Sequence, residues 1–300
     1  MEYKVFDLSL IEKVVGLLNL CFPKKNISAV SFVWKHIDEF FNDKSLAMVA
    51  VDGDKVCAFV CFTPTVISRN DKKYENFYSC AVQATHPDYR RRGLVSDLTQ
   101  LIEKRLGSEA QYLGFSNEDG VKIDKFSKKI AYEILGQMAT KYFLSWPHKT
   151  SLKVKSVKEL PLKIAYNSAR FGILKNREYL EWRYEKNSKI RYKYLEVRKG
   201  AAIQGYIICK KHGIKYEVSE LLLKNDSVEL YKEAIKAFSG FSLSQGVVLA
   251  SYSFLQNKFW SQVFPSGSLT KKVAIYFTVK TPNQDLKNSD NWIIQGGDIQ

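Results

Sequence analysis

The chain is poor in the residues that declare a chemistry by themselves. Its five cysteines, Cys21, Cys57, Cys61, Cys80 and Cys209, stand singly in apolar company with no C-x-x-C pair. That spacing indicates neither a disulfide framework nor a zinc site and leaves buried free thiols as the expectation. The four histidines, His36, His86, His148 and His212, are too dispersed for metal ligation, and no H-E-x-x-H or EF-hand pattern occurs, so no metal is implied. The longest strongly apolar run, Val56 to Phe62, falls far short of the roughly 20 residues of a membrane span. The opening Met1-Glu2-Tyr3-Lys4 lacks the basic-then-apolar layout of a signal peptide, and a cytoplasmic location with no membrane span is expected. Acidic residues are the scarcest charged class: 31 Asp and Glu face 46 Lys and Arg, a net charge of +15. Such a surplus attracts nucleic acid, acidic lipid or phosphorylated ligands. The lysines are spread along the whole chain and there is no helix-turn-helix or zinc motif, which disfavours a nucleic-acid-binding role.

At 300 residues, 45% hydrophobic and 26% charged, the chain has room for two ordinary globular domains. Helical spacing occurs over Leu8 to Asn19 and Ala29 to Phe41. Strand-like runs Leu46 to Val51 and Lys55 to Phe62 flank Asp52-Gly53-Asp54, a hairpin signal, and a third covers Asn76 to Thr85. A helix Asp97 to Leu106, a strand Gln111 to Phe115, a helix Gly120 to Ala131 and a strand Met138 to Ser145 follow, up to Trp146-Pro147. The same order then returns: helices Val157 to Ser168 and Arg177 to Tyr184; strands Tyr194 to Arg198, Ala202 to Lys210 and Lys215 to Lys224; a helix Ser227 to Phe238; a strand Val247 to Ser251; a helix Phe254 to Val263; a strand Lys272 to Lys280. Two successive copies of α-α-β-β-β-α-β-α-β make an architectural duplication of mixed α/β class, divided as 1–147 and 148–300. The ending Trp292-Ile293-Ile294 is expected to pack back on a domain, since exposed it would be an adhesive patch.

The most telling stretch is Thr85-His86-Pro87-Asp88-Tyr89-Arg90-Arg91-Arg92-Gly93-Leu94-Val95-Ser96, where a strand breaks at a proline, turns through three arginines and a glycine, and enters an amphipathic helix. Consecutive amides in such a turn, aimed from a helix N-terminus, form an anion nest. Gly93 permits close approach of a phosphate. The plainer alternative is a solvated charge run.

Pro87 to Leu94 resembles the acyl-CoA loop of the GNAT superfamily of N-acyltransferases: an Arg or Gln, two residues, Gly, one residue, then Gly or Ala. Arg90 and Gly93 match this pattern, and Val95 departs from it. The resemblance implies a tandem GNAT fold. It assigns the CoA pyrophosphate to the backbones of Arg91, Arg92, Gly93, Leu94, Val95 and Ser96, with Arg90 at the motif's first position. It also places Gln83, Ala84 and Thr85 beside the pantetheine arm and thioester, where two N–H donors stabilise a tetrahedral oxyanion. Asn117, in Gly114-Phe115-Ser116-Asn117, is similar to a cofactor-contacting asparagine of the family and also reads as a helix N-cap. Ser127 falls where many members carry a tyrosine that protonates the leaving thiolate; a serine is a poor acid, and Tyr132 is a substitute. Lys122, Lys125 and Lys129 read as an exposed helix face. For the base that deprotonates the acceptor amine, the candidates are His86, Glu75 and Tyr78, with His86 also readable as a strand-end residue.

The counterpart of the loop in the second copy, Lys224 to Leu230, has no basic glycine turn, and Asp226 and Glu229 would oppose a pyrophosphate. The second copy is therefore expected to be degenerate and to shape the acceptor cleft. Arg177 to Tyr184 and the Trp292 to Asp298 ending resemble segments of bacterial tandem-GNAT proteins of surface-polysaccharide biosynthesis. That resemblance implies transfer of an acyl group, acetyl or a longer one such as hydroxybutanoyl, from acyl-CoA to the amine of a nucleotide-linked amino sugar. A Fem-like transferase drawing on aminoacyl-tRNA and a nucleic-acid-binding protein with a vestigial fold are the alternatives, the first opposed by the intact Arg90 to Gly93 turn.

Overall fold

The computed structural model describes residues 1–41, 44–118, 132–160, 168–186, 190–264 and 269–299. The first half runs β1 (Glu2–Val5), α1 (Ile11–Cys21), α2 (Ala29–His36), β2 (Leu46–Asp52), β3 (Lys55–Arg69), β4 (Lys72–Thr85), α3 (Leu94–Leu106), β5 (Gln111–Asn117) and β6 (Glu133–Leu144). The second runs β7 (Lys153–Val157), β8 (Gly172–Ile173), α4 (Arg177–Leu180, continued by a π-helical turn to Glu185), β9 (Tyr192–Lys199), β10 (Ala202–His212), β11 (Lys215–Leu223), α5 (Val228–Ser244), β12 (Leu249–Leu255), α6 (Lys258–Val263) and β13 (Leu269–Lys280). The architecture is mixed α/β, and the order of three strands, a helix and a strand occurs in both halves, as β2 to β5 with α3 and as β9 to β12 with α5.

All the strands belong to one sheet, ordered β1-β2-β3-β4-β5-β13-β6-β12-β11-β10-β9-β7, with β8 paired to β3. The closing strands are exchanged: β13 lies between β5 and β6, while β6 pairs with β12. Sequence periodicity cannot show such an exchange, because both strands carry the same alternation whichever neighbour they take.

Local chemistry explains most of the elements. The β2–β3 hairpin turns at Gly53 with φ +58°, the left-handed conformation that a two-residue turn requires. The β3–β4 hairpin turns at Asn70 and Asp71, with φ +48° and +61°, and Arg69 faces Lys72 across it. Both strands thereby extend beyond the expected Phe62 and Asn76, since asparagine and aspartate tolerate this turn without any glycine to mark it. Ser28 and Ser31 form a reciprocal capping box at the start of α2. Two expected helices are corrected. The one expected over Val157 to Ser168 is corrected at its start, since Val157 ends an edge strand, Lys153 to Val157, paired with β9, and residues 158–160 are not helical; residues 161–167 lie outside the described ones. Phe254 belongs to β12, and α6 begins only after Asn257, whose side chain accepts the Trp260 N–H at 3.2 Å.

Helices cover both faces of the first half. Val14, Leu17 and Leu18 of α1 and Phe32 of α2 pack on Val49, Phe59 and Cys61, while Leu94, Leu98 and Ile102 of α3 pack on Ala50, Val60 and Phe62. In the second half Tyr231, Phe238 and Trp260 pack on Tyr216 and Tyr252. The tail packs back as expected: Trp292 and Ile294 are buried with Phe171, Phe277 and Leu113. Cys57, Cys61 and Cys209 are buried free thiols, whereas Cys21 and Cys80 are half-buried. Among the described residues no helix is long and apolar enough to cross a membrane.

Candidate active site

Pro87 cannot donate to a strand ladder, so β4 stops at Thr85 and residues 87–89 form one 3-10 turn. His86 caps it, its Nδ1 accepting the Asp88 N–H at 3.3 Å, and its ring meets Tyr89 edge-on. Arg91 (φ +64°) and Gly93 (φ +78°) are both left-handed, which turns successive amides toward one side before α3 begins at Leu94. No atom lies within 4 Å of a Cβ built on Gly93, so this glycine serves backbone conformation rather than packing. Within α3, Asp97 N–H bonds Gly93 O at 3.0 Å; the amides of Leu94, Val95 and Ser96 precede this first intrahelical donor and carry the positive end of the helix dipole.

The nearby acids are tied into the frame of this cradle. Asp52 accepts from Tyr89 Oη at 2.9 Å, which with a further bond to Cys57 and burial pushes the Tyr89 phenol up to about 12. Asp88 pairs with Lys55 at 3.4 Å, and Asp97 accepts from Tyr3 Oη at 2.9 Å. Arg92 lies over the Tyr89 ring at 4.7 Å and donates to Asp88 O. Arg90 and Arg91 are exposed and make no ion pair among the described residues. The result is an exposed concentration of cations and amides whose neighbouring carboxylates are already engaged.

Beside the cradle the sheet splits. β4 and β5 pair in parallel from Phe77–Gln111 to Cys80–Gly114. At Ala81 the β3–β4 register skips one residue, a β-bulge, while β5 parts from β4 after Gly114 and stays paired with β13 through Asn117. His86 N–H bonds Cys57 O at 2.8 Å, which sets the phase of the ladder. By antiparallel alternation Ala84 also faces β3, whereas the N–H groups of Gln83 and Thr85 point to the edge that β5 has left. Cys21 Sγ donates to Thr85 O at 3.3 Å from the end of α1. Gln83, Ala84, Thr85 and the Arg90 to Ser96 turn are thus contiguous, and Asn117 stands on the opposite lip.

The second half repeats this geometry. The β10–β11 register skips Ser219, β11 and β12 part after Val218–Tyr252, and Lys224 N–H bonds Gln204 O at 2.9 Å. Counted from the bulge, Ser219 corresponds to Ala81, Leu221 to Gln83 and Lys224 to His86. Here the edge amide has an occupant: Leu221 N–H donates to Gln295 Oε1 at 2.7 Å, and Tyr252 Oη donates to the same oxygen at 2.7 Å.

Of the three base candidates, Glu75 and Tyr78 line a 570 Å³ cavity between β4 and the 173–182 segment, walled also by Phe40, Tyr179 and Trp182. His86 is not part of it and is committed to capping the turn. Ser127, Lys122, Lys125, Lys129 and the helix expected over Gly120 to Ala131 lie outside the described residues.

Residue reasoning missed a buried polar cluster that anchors the tail. Lys175, fully enclosed, pairs with Glu220 on β11 at 2.9 Å and with Asp298. Burial alone would lower the Lys175 pKa, but Asp298 and Glu220 outweigh it and hold the ammonium well above the usual lysine range. Tyr184 donates to Glu220 Oε1 at 2.6 Å; burial pushes the Glu220 carboxyl up, and its Oε2 has no hydrogen-bond partner among the described residues. Gly297 lies against this cluster, where a Cβ would overlap Glu220 and Tyr184. The only sequence signal was the Gly296-Gly297-Asp298 ending; nothing local points from it to Lys175 or Glu220.

Residues 2–115 match the model of an acetyltransferase (GNAT) domain. The first part of the chain is thus similar to an acetyltransferase (GNAT) domain, and the fold of the whole is shared with GNAT proteins. Solved structures share the fold over nearly the whole length. A probable N-acyltransferase from Enterococcus faecalis superposes with a TM-score of 0.69 at 14% identity, covering 93% of this chain and 72% of that one. A tandem GNAT protein from the clavulanic acid biosynthesis pathway gives 0.55 at 9% identity, covering 94% and 99%. N-myristoyltransferase from Saccharomyces cerevisiae with bound myristoyl-CoA gives 0.57 at 11% identity, covering 97% and 87%. No curated protein sequence matches the chain significantly.

Proposed function

We propose that the chain transfers an acyl group, acetyl or a longer one such as hydroxybutanoyl, from acyl-CoA to the amine of a nucleotide-linked amino sugar. In this reading residues 1–147 bind the donor, and the degenerate copy, 148–300, shapes the acceptor site. The observation that carries the donor half is the pairing of one bulged, split strand edge with one basic cradle. The equivalent edge in the second half is plugged by Gln295 and has no such cradle. The positive charge of +15 supports an acceptor that brings phosphates of its own.

The plug also indicates what the first edge grips. Leu221 N–H holds an amide oxygen, so its counterpart, Gln83 N–H, is placed to hold the thioester oxygen. The amine lone pair forms the C–N bond, and the carbonyl pair moves onto that oxygen as Gln83 N–H steadies it. Collapse then breaks the C–S bond and expels the CoA thiolate. The proton lost by nitrogen goes to a base, for which Glu75 and Tyr78 are placed in a cavity and His86 is not; the thiolate takes a proton from solvent or Tyr132. Holding both substrates together supplies much of the acceleration. Pyrophosphate binding is assigned to the backbones from Arg91 to Ser96, with Arg90 and Arg91 as field cations and Asn117 on the pantetheine side. Acyl-CoA as donor and a cytoplasmic setting go together.

The test is a thiol-release assay over nucleotide-linked amino sugars and acyl-CoA donors. Acceptance of a sugar amine supports the reading; reaction with protein or polyamine amines while every sugar fails overturns the acceptor assignment.

A further inference from the structure

The split between β11 and β12 is only partly filled by the tail. Gln295 occupies its inner end, and Leu255 N–H donates to Ile294 O at 3.1 Å. Outside that plug a 420 Å³ cavity remains, with Ser219, Ser253 and Gly296 on its walls and Lys35 of α2 and Ile275 of β13 completing it from across the molecule. Ile275 is the register partner of Asn117, so the cavity reaches the strand that walls the donor cleft. The second split is thus a compartment shared by both halves.

Its electrostatics are lopsided. Lys210 is neutralised by Glu217 at 2.8 Å. Arg183 gives one N–H to Ile299 O at 2.8 Å and has no carboxylate partner among the described residues. Lys35 makes no hydrogen bond or ion pair among them, and burial, followed by the like charges of Arg183 and Lys25, lowers its pKa to about 7. The surrounding acids are engaged elsewhere: Glu220 and Asp298 by Lys175, and Asp38 by Lys186 at 3.3 Å. The like charges of Lys35 and Arg183 repel each other; Glu220 offsets this at Arg183, but no group among the described residues pairs with Lys35, a cost that a bound anion would remove.

We infer that this cavity is an anion pocket in which Lys35 and Arg183 hold the phosphate group of the acceptor. The identity of the ligand as acceptor rests on the function proposed above; the pocket's affinity for phosphate does not. Trp34 and Tyr192 also line the cavity and offer aromatic surface to the organic part of a phosphate ester.

The donor cradle, itself an anion site, is first saturated with CoA, and uridine diphosphate, inorganic phosphate and uridine are then titrated calorimetrically. Buffers of different ionisation enthalpy are used to read proton uptake. Uridine diphosphate is expected to bind and uridine not, with uptake of up to about half a proton at pH 7 as Lys35 regains its charge. Lys35→Met is expected to weaken binding about tenfold or more and to remove the proton uptake, with CoA affinity unchanged as the check on folding. Absence of binding to the CoA-saturated protein, or binding and proton uptake unaltered in Lys35→Met, overturns the inference. In the thiol-release assay, equal KM for phosphorylated and unphosphorylated amino sugars also overturns it while leaving the acyl-transfer reading intact. Lys35-dependent phosphate binding with no amino sugar reacting supports the pocket and sinks the acceptor assignment instead.

Discussion

Replacing Lys175 with methionine tests whether the tail is held by charge. The change keeps the volume of the side chain and removes the cation between Glu220 and Asp298, both fully enclosed. Breaking a buried pair while leaving its partners in place costs about 3–5 kcal/mol. With an unfolding entropy of about 2.1 cal/mol/K per residue over 300 residues, that is a fall in Tm of roughly 5–8 °C. The sign of the pH dependence follows from the carboxylates. Burial already pushes the Glu220 carboxyl up, and losing Lys175 removes a charge that holds it down, so the folded state is favoured while Glu220 is protonated and loses that advantage as pH rises through its folded value. The Tm deficit of Lys175→Met should therefore widen from pH 5 to pH 8, measured by calorimetry or circular dichroism. Limited proteolysis should cut the variant first in the tail after Asn291. A deficit below about 1 kcal/mol, or one independent of pH, would refute the view that this triad carries the tail.

Gly93→Glu forces a side chain onto a φ of +78° and places a carboxylate at the cradle, so CoA affinity measured by calorimetry should fall at least about a hundredfold. Arg90→Ala combined with Arg91→Ala removes exposed charges without packing roles; the KM for acyl-CoA should rise about 3–30-fold while Tm changes little. Gln295→Ala leaves Leu221 N–H without its acceptor in a buried cleft and takes the same oxygen from Tyr252 Oη, and chemical denaturation should show a loss of about 2–4 kcal/mol. Lys35 has a folded pKa near 7 against the ordinary 10.5. Below pH 7 it is charged in both states and its burial penalty is fully present; between about 7 and 10 the unfolded chain keeps the proton that the folded protein has released, so stability rises with pH. The wild-type protein should gain on Lys35→Met between pH 6.5 and 9, and parallel stability curves for the two would contradict the shift.

The donor side was largely legible because its information is local. A proline that must end a strand, a glycine that must take φ above zero and an amphipathic helix that must start with orphaned amides all lie within the stretch from Thr85 to Leu106, and the structure assembles them in that order. The hairpin at Asn70-Asp71 was misjudged for the opposite reason: its turn residues adopt the left-handed conformation but do not demand it. His86 was legible as a strand-end residue, and only the capping bond to Asp88 reveals how its ring is used.

By itself the sequence determined the mixed α/β class, the basic glycine turn between a strand and a helix and the inward-packing tail, since each follows from periodicity, turn chemistry or the insolubility of an exposed Trp-Ile-Ile run. Only the tertiary structure decided that β6 and β13 change places, that Gln295 fills the second cleft, and that Lys35, Arg183 and the Lys175 triad surround what remains. Those pairings join residues from tens to well over a hundred positions apart, and their partners are chosen by which faces meet when two halves share one sheet, a property that no local pattern encodes.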